Sequence, residues 1–221
     1  MSAAAKGILF SQMVPPAELE AEFNDWYETE HIPVRLALPG FSGATRYLGI
    51  DGERNYLAIY EISDLKVLDT PEYQALKTRP SERTKRMLNT VQGFTRFTCV
   101  QTFEQGGGRG DVLSAVAFQV PTAAKAALDD WYEAEHVPLL LRAPDWLRVR
   151  RFEVLSSDGG PWTHFALHEL RSVSVMDSPE RKAACEGPKR KALAGQDWFE
   201  QSGRWLYRVV SRFGSSRSGG Q

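Results

Sequence analysis

Trp26-Tyr27-Glu28-Thr29-Glu30-His31-Ile32-Pro33 recurs as Trp131-Tyr132-Glu133-Ala134-Glu135-His136-Val137-Pro138. The match extends outward without a gap, pairing Pro16 with Pro121, Pro39 with Pro144 and Arg46 with Arg151. A short insertion near Ser156–Pro161 shifts the register. Beyond it Tyr56–Ile62 matches His164–Leu170, Asp69-Thr-Pro-Glu72 matches Asp177-Ser-Pro-Glu180, and Pro80 falls on Pro188. The chain therefore reads as two copies of one unit of roughly 100 residues, long enough for each to build a core. The expected divisions are a first repeat over 1–104, a glycine-rich flexible connector over 105–110, a second repeat over 111–213 and a disordered tail over 214–221.

Within one unit, Gly7–Val14 reads as a strand ended by Pro15-Pro16. Ala17–His31 reads as a helix, because Leu19, Phe23, Trp26, Tyr27 and Glu30 recur at spacings of three and four. Ser42–Gly49 and Tyr56–Ile62 are strands joined at Ile50-Asp51-Gly52-Glu53, where Asp-Gly suits a tight hairpin turn. Thr70 caps a second helix with Pro71 at its first position, Pro80 breaks or restarts it, and Gly93–Phe103 is a final strand. The order βαββαβ is the ferredoxin-like arrangement, and the second half repeats it. Helices cover one face of such a sheet, so two units in one chain can cover each other sheet against sheet. The fold class expected is α+β.

Composition excludes several partners. The 221 residues carry a net charge of −1 with acids and bases mixed, and no basic stripe with interleaved aromatics marks a nucleic-acid surface. No apolar run approaches the ~20 residues needed to span a bilayer, and the start lacks a signal-type apolar core. Cys99 and Cys185 sit at non-equivalent places in the repeats and read as free thiols in a reducing, cytoplasmic compartment. Phosphate-cradling loop, nucleophile elbow, Cys-x-x-Cys pair and dinucleotide fingerprint are all missing, so no nicotinamide and no other cofactor is expected.

Trp-Tyr-x-x-Glu-His-x-Pro, followed by Leu38-Pro-Gly-Phe41, Arg46-Tyr47 and Tyr56–Ile62, resembles the dimeric α+β barrel superfamily and within it the EthD-like branch. That resemblance implies two units pairing into a barrel, here fused as a tandem duplication. It implies a range of activities: cofactor-free cyclases, isomerases, dehydratases, decarboxylases and quinone-forming monooxygenases, alongside haem-binding branches. Fold alone does not select among these. The second half departs from the pattern, with Leu139-Leu-Leu141 for Val34-Arg-Leu36 and Asp145-Trp146 for Gly40-Phe41.

A helical wheel at ~100° per residue with Leu19 at zero places Glu30 near ~20°, inside the apolar stripe, and His31 near ~120°, on its flank. Glu28 falls opposite, toward solvent. A carboxylate aimed at a core should have a raised pKa, while the helix end favours protonated histidine; the pair then shares a mobile proton. Glu30, His31, Glu135 and His136 are accordingly the catalytic candidates. The structural alternative is that Glu30 accepts bonds from a buried indole or backbone, and that His31 caps carbonyls before Pro33 stops the helix.

Substrate-binding candidates surround them. Strand alternation puts Tyr56, Ala58 and Tyr60 on one face, and in the second half His164, Ala166 and His168. Residues four apart on a strand lie roughly 13 Å from one another, too far for His164 and His168 to share a zinc at ~2.1 Å from each, so no metal is expected. Arg46 and Arg151 are either clamps for an enolate oxygen or surface salt bridges. Trp26 and Trp131 are counted with the pocket-lining candidates, with a folding role as the alternative.

Together these point to a cofactor-independent enzyme moving protons on an aromatic or polyketide-like small molecule, of lyase or isomerase type. The alternatives are a cofactor-free monooxygenase on a hydroquinone- or anthrone-like substrate, and a non-catalytic small-ligand-binding protein. Fusion removes the need for a partner chain without forbidding a homodimer.

Overall fold

The computed structural model describes residues 5–51 and 55–214. The expected hairpin turn at Ile50-Asp51-Gly52-Glu53 falls partly on residues 52–54, and the expected tail on 215–221, outside the described residues. In the first half the elements are β1 (Gly7–Val14), a 3-10 turn (Ala17–Leu19), α1 (Glu20–Trp26), a π-turn (Tyr27–His31), α2 (Ile32–Leu36), β2 (Phe41–Gly49), β3 (Tyr56–Ile62), a 3-10 turn (Leu65–Asp69), α3 (Pro71–Thr78), α4 (Glu82–Thr90) and β4 (Gln92–Gly106). The second half follows the same order with one further short helix before its last strand: β5 (Val112–Phe118), α5 (Lys125–Trp131), a π-turn (Tyr132–His136), α6 (Val137–Leu140), β6 (Trp146–Asp158), β7 (His164–Leu170), α7 (Pro179–Glu186), α8 (Pro188–Leu193), the additional α9 (Asp197–Glu200) and β8 (Gly203–Phe213), with 3-10 turns before α5 and α7.

The fold is α+β. Its strands close into one eight-stranded barrel in the order β1-β3-β2-β8-β5-β7-β6-β4, so each half keeps the ferredoxin-like order 4-1-3-2. β1 pairs antiparallel with β3 and β4, and β5 with β7 and β8. Both halves also carry the same bulge, at Phe41/Gly43 and at Trp146/Arg148.

Two compact units result: Met1–Val100 with Leu155–Gly160 and Val209–Gln221, and Gln101–Val154 with Pro161–Arg208. The first has a core of Phe23, Trp26, Tyr27, Tyr56, Ala58 and Tyr60 with their neighbours. Leu57 and Ile59 are equally buried but lie outside that cluster, which is the alternation read from β3. The second unit has the matching cluster around Leu128, Trp131, Tyr132 and Ala166.

Local details differ from the sequence reading at instructive places. Pro33 does not stop the helix; it occupies the first turn of α2, where a missing N–H costs little. The chain absorbs the change through a π-turn in which Ile32 N–H bonds Tyr27 O, five residues back, and Val137 N–H repeats this to Tyr132 O. Thr70 does cap α3, accepting from Tyr73 N at 3.3 Å, and Ser81 caps α4 after Pro80. The expected connector over 105–110 overlaps the end of β4. β4 runs to Gly106, and Gly110 is buried with its N–H on Glu169 Oε2 at 3.0 Å. A Cβ at Gly110 would meet Leu170 O at 2.0 Å, so close approach, not freedom, calls for that glycine. No helix among the described residues is long and apolar enough to cross a membrane.

Candidate functional site

The two glutamates do not look into a hollow. Glu30 is half-buried and accepts bonds from the Ser81 hydroxyl and from Thr84 Oγ1 (2.9 Å), both in the first turn of α4. Trp26 Nε1, fully buried, donates to the same Thr84 Oγ1 at 3.0 Å, so indole, hydroxyl and carboxylate form one chain of bonds. Glu135 does the equivalent work more directly, accepting from Lys189 N at 3.0 Å and Arg190 N at 3.1 Å at the start of α8. Here the N-cap is Gly187, and a Cβ on it would lie 2.2 Å from Glu135 Oε1. Both carboxylates thus tie the π-turn to the start of a later helix, Glu30 through hydroxyls at α4 and Glu135 through the unpaired N–H groups of α8, which favour an anion. Glu30 does share a face with Trp26, since both meet Thr84; a wheel cannot show that α4 supplies the partners there.

Arg46 and Arg151 are neither surface bridges nor free clamps. Arg46 is 1% exposed; its Nη2 donates to Asn24 Oδ1 at 2.5 Å and Nη1 to Glu28 Oε1 at 3.2 Å, with its guanidinium 4.7 Å from the Tyr27 ring centroid. Arg151 repeats this with Asp129 Oδ1 (2.6 Å), Glu133 Oε1 (2.9 Å) and Tyr132 (4.9 Å). Each arginine therefore pins its strand to its helix, and Glu28, read as solvated, is one of the pins. Tyr56 is likewise engaged, donating to Glu20 Oε1 at 2.6 Å and accepting from Asn24 at 3.2 Å.

Among the described residues of the first unit, the buried side-chain atoms without a hydrogen-bond partner are Asn55 Oδ1, Ser211 Oγ, an imidazole nitrogen and a phenol oxygen, the imidazole against Trp26 and the phenol beside Arg35. His31 is buried with its ring 4.2 Å from Trp26 and 4.8 Å from Tyr27, and its Nδ1 has no hydrogen-bond partner. Burial, reinforced by the Arg35 and Arg46 charges, holds its pKa well below the usual histidine value, so the helix end does not keep it protonated. Tyr60, also buried, has an unpartnered hydroxyl whose pKa burial raises while Arg35 opposes the rise. Arg35 sits 5.7 Å from the Tyr60 ring and donates from Nη1 to His31 O at 2.7 Å. Buried polar atoms without partners are rare and ask for a ligand, a water or a function. Neither Arg35 nor the hydroxyls of Ser81 and Thr84 were among the sequence candidates. The i,i+4 spacing of His31 and Arg35 was the available signal.

In the second unit His136 and His168 each have a hydrogen-bond partner. His136 Nδ1 lies 3.2 Å from Ala184 O, and burial, against that hydrogen bond, takes its pKa down to about 4. His168, its ring centroid 6.3 Å away, accepts from Trp146 Nε1 at 3.2 Å and is also held well below its usual pKa by burial. His164 pairs with Thr163 Oγ1 at 2.9 Å, leaving Nε2 open; Trp131 Nε1 is open too. Among the described residues, no three His, Cys, Asp or Glu side chains gather as metal ligands. Cys99 is buried and Cys185 half-buried.

Among the described residues, each unit has a cleft. One, of about 500 Å³, is lined by Lys66, Tyr73, Lys77, Arg96 and Leu155 among others. The other, of about 560 Å³, lies between Trp162 and Trp198 with Pro121 and Pro161. Neither lining contains a histidine, so neither offers the imidazole that would ligate a haem iron.

No protein-family model matches the chain, and no curated protein matches it. Solved structures do. An anthrone oxidase-like protein superposes with a TM-score of 0.68 at 14% identity, covering 96% of this chain and 93% of its own. A candidate monooxygenase from Fusobacterium nucleatum subsp. nucleatum gives 0.66 at 9% identity, covering 97% and 96%. A mutant chlorite dismutase from Candidatus Nitrospira defluvii gives 0.60 at 9% identity, covering 95% and 92%. The chain thus has the fold of ferredoxin-like, dimeric α+β barrel proteins, including monooxygenase-like and chlorite dismutase-like ones. Identities this low speak for the fold alone.

Proposed function

We propose that the protein is a cofactor-independent enzyme that withdraws a proton from a phenolic or enolisable aromatic or polyketide-like substrate, at the His31–Tyr60–Arg35 cluster of the first unit. The observation that carries this reading is the pair of buried, unpartnered polar atoms, His31 Nδ1 and Tyr60 Oη, under the charge of Arg35. A neutral imidazole accepts the proton. The phenol donates to the oxyanion that forms, and the guanidinium offsets its charge in a poorly hydrated setting. Glu30 and Glu135 hold the π-turns that present the histidines, and Trp26 and Trp131 wall them. His136 and His168 form a second, more occupied version. The fate of the anion divides the activity: elimination or rearrangement makes a lyase or isomerase, and reaction with dioxygen makes a monooxygenase.

The second outcome is favoured by the likeness to an anthrone oxidase-like protein. In that version an anthrone-type CH2 group and one O2 become a carbonyl and one water. We further propose that the chain is a tandem duplication of an EthD-like unit. Matched π-turns, matched arginine pins and matched bulges support that origin. Oxygen uptake and quinone formation with anthrone, and deuterium wash-in to an enolisable aryl ketone without oxygen, test the two fates. Loss of either signal in His31→Ala and Tyr60→Phe variants that stay folded is expected. Undiminished turnover in both variants rejects the site, ligand binding without turnover favours a carrier, and a Soret band in the purified protein overturns the cofactor-free reading.

A further inference from the structure

The largest length difference between the halves is the insertion near Ser156–Pro161, and it has a structural consequence in the first unit. It lets β6 run to Asp158, whereas β2 ends at Gly49, and the extension Leu155–Gly160 belongs to the first unit. There it forms one wall of the cleft of about 500 Å³, whose other sides are the Leu65–Asp69 turn, α3 and β4. The extension is held in place by a salt bridge from Arg96 to Asp158. Beside it Gly159, at φ 89°, comes so near β4 that a Cβ would meet Phe94 O at 3.1 Å.

The lining has two characters. Leu155, 58% exposed, and Leu68 give the space an apolar side. Tyr73 forms a buried aromatic floor stacked on Phe41 at 5.8 Å. Against these stand Lys66 and Lys77, neither paired with a carboxylate among the described residues, while Arg96 is neutralised by Asp158. Asp69 is the only other lining acid, so the cleft carries an excess of one positive charge over three bases and two acids. Two unpaired ammonium groups beside a leucine and a tyrosine suit an anion with an apolar body.

We propose that this cleft is a binding site for a small organic anion, its carboxylate, sulfonate or phosphate ester held between Lys66 and Lys77 and its apolar body lying against Leu155 and Leu68. None of the residues that would hold the anion belongs to the His31 cluster, and the proposal stands whether or not that cluster is catalytic. The probe is 1-naphthoate, with the uncharged 1-naphthalenemethanol as its comparison, followed by calorimetry and amide chemical shifts at low and high salt on the whole chain. Saturable naphthoate binding is expected, with shifts confined to residues 65–77, 96–98 and 155–158 and weakening with salt. Losing two partly solvated charge contacts should weaken binding about tenfold, both for the alcohol and for Lys66→Gln/Lys77→Gln. Leu155→Glu should weaken both probes. All three substituted side chains are exposed, so the amide spectrum serves as the check of folding. Absence of saturation, shifts elsewhere, or equal affinity for the alcohol or the double lysine variant overturns the proposal.

Discussion

Gly187→Ala isolates the role given to Glu135. Gly187 has φ −60° and ψ 151°, a conformation alanine adopts freely, so the backbone would not resist the change. The new methyl would lie 2.2 Å from Glu135 Oε1, and that side chain would have to swing off the N–H groups of Lys189 and Arg190. Losing such a cap costs about 1–2 kcal/mol. The lower entropy of the unfolded alanine chain returns roughly 0.4–1 kcal/mol, leaving a net loss near ~0.5–1 kcal/mol. In a Glu135→Ala background there is nothing left to displace, and the same substitution should be neutral or stabilise by about 0.4–1 kcal/mol. Urea unfolding of the four proteins, compared by midpoint at constant slope, gives a coupling of about 1–2 kcal/mol if Glu135 is a cap. Additive effects would refute the assignment.

The arginine pins should behave alike: Arg46→Met and Arg151→Met each lose about 2 kcal/mol, tempered by the 43% exposure of both Glu28 and Glu133, and a difference above ~1 kcal/mol in urea unfolding would contradict their equivalence. Trp26→Phe should cost about 1 kcal/mol more than Trp131→Phe, because only Trp26 has a bonded indole N–H whose loss strands Thr84; thermal unfolding distinguishes them. Acid should weaken the fold through its buried imidazoles. His136 falls from 6.5 to about 4 in the folded state, so the unfolded chain takes up the proton first, and stability drops as pH falls from about 6.5 and levels off below about 4. That single group contributes roughly 3 kcal/mol to the loss, and His136→Gln should lose that much less across the interval in pH-dependent denaturant melts.

The duplicated eight-residue motif, the apolar spacing of α1 and the alternation of β3 made the repeat, the element order and the α+β class legible in the sequence, because short-range periodicity reports directly on which faces are buried. Pairings that need the third dimension were not legible. Glu30 and Glu135 looked inward on an ideal wheel, but a wheel carries no neighbours, and α4 and α8 supply their partners. Arg46 looked like a surface residue because its partners, Asn24 and Glu28, precede it by 22 and 18 residues, beyond any helical or strand spacing. The importance of Tyr60 was readable, since its strand face was, whereas its lack of a partner could emerge only once every neighbour was in place.

Imidazole nitrogen-15 shifts of His31, followed from pH 8 to pH 5 with and without a phenolic ligand, bear most directly on the proposed chemistry. A ring that stays neutral throughout, with an Nδ1 resonance that moves only when the phenol is added, is the expected result. A ring that gains its proton near 6.5, or an Nδ1 indifferent to the phenol, would mean that the buried pair is packing and not a site.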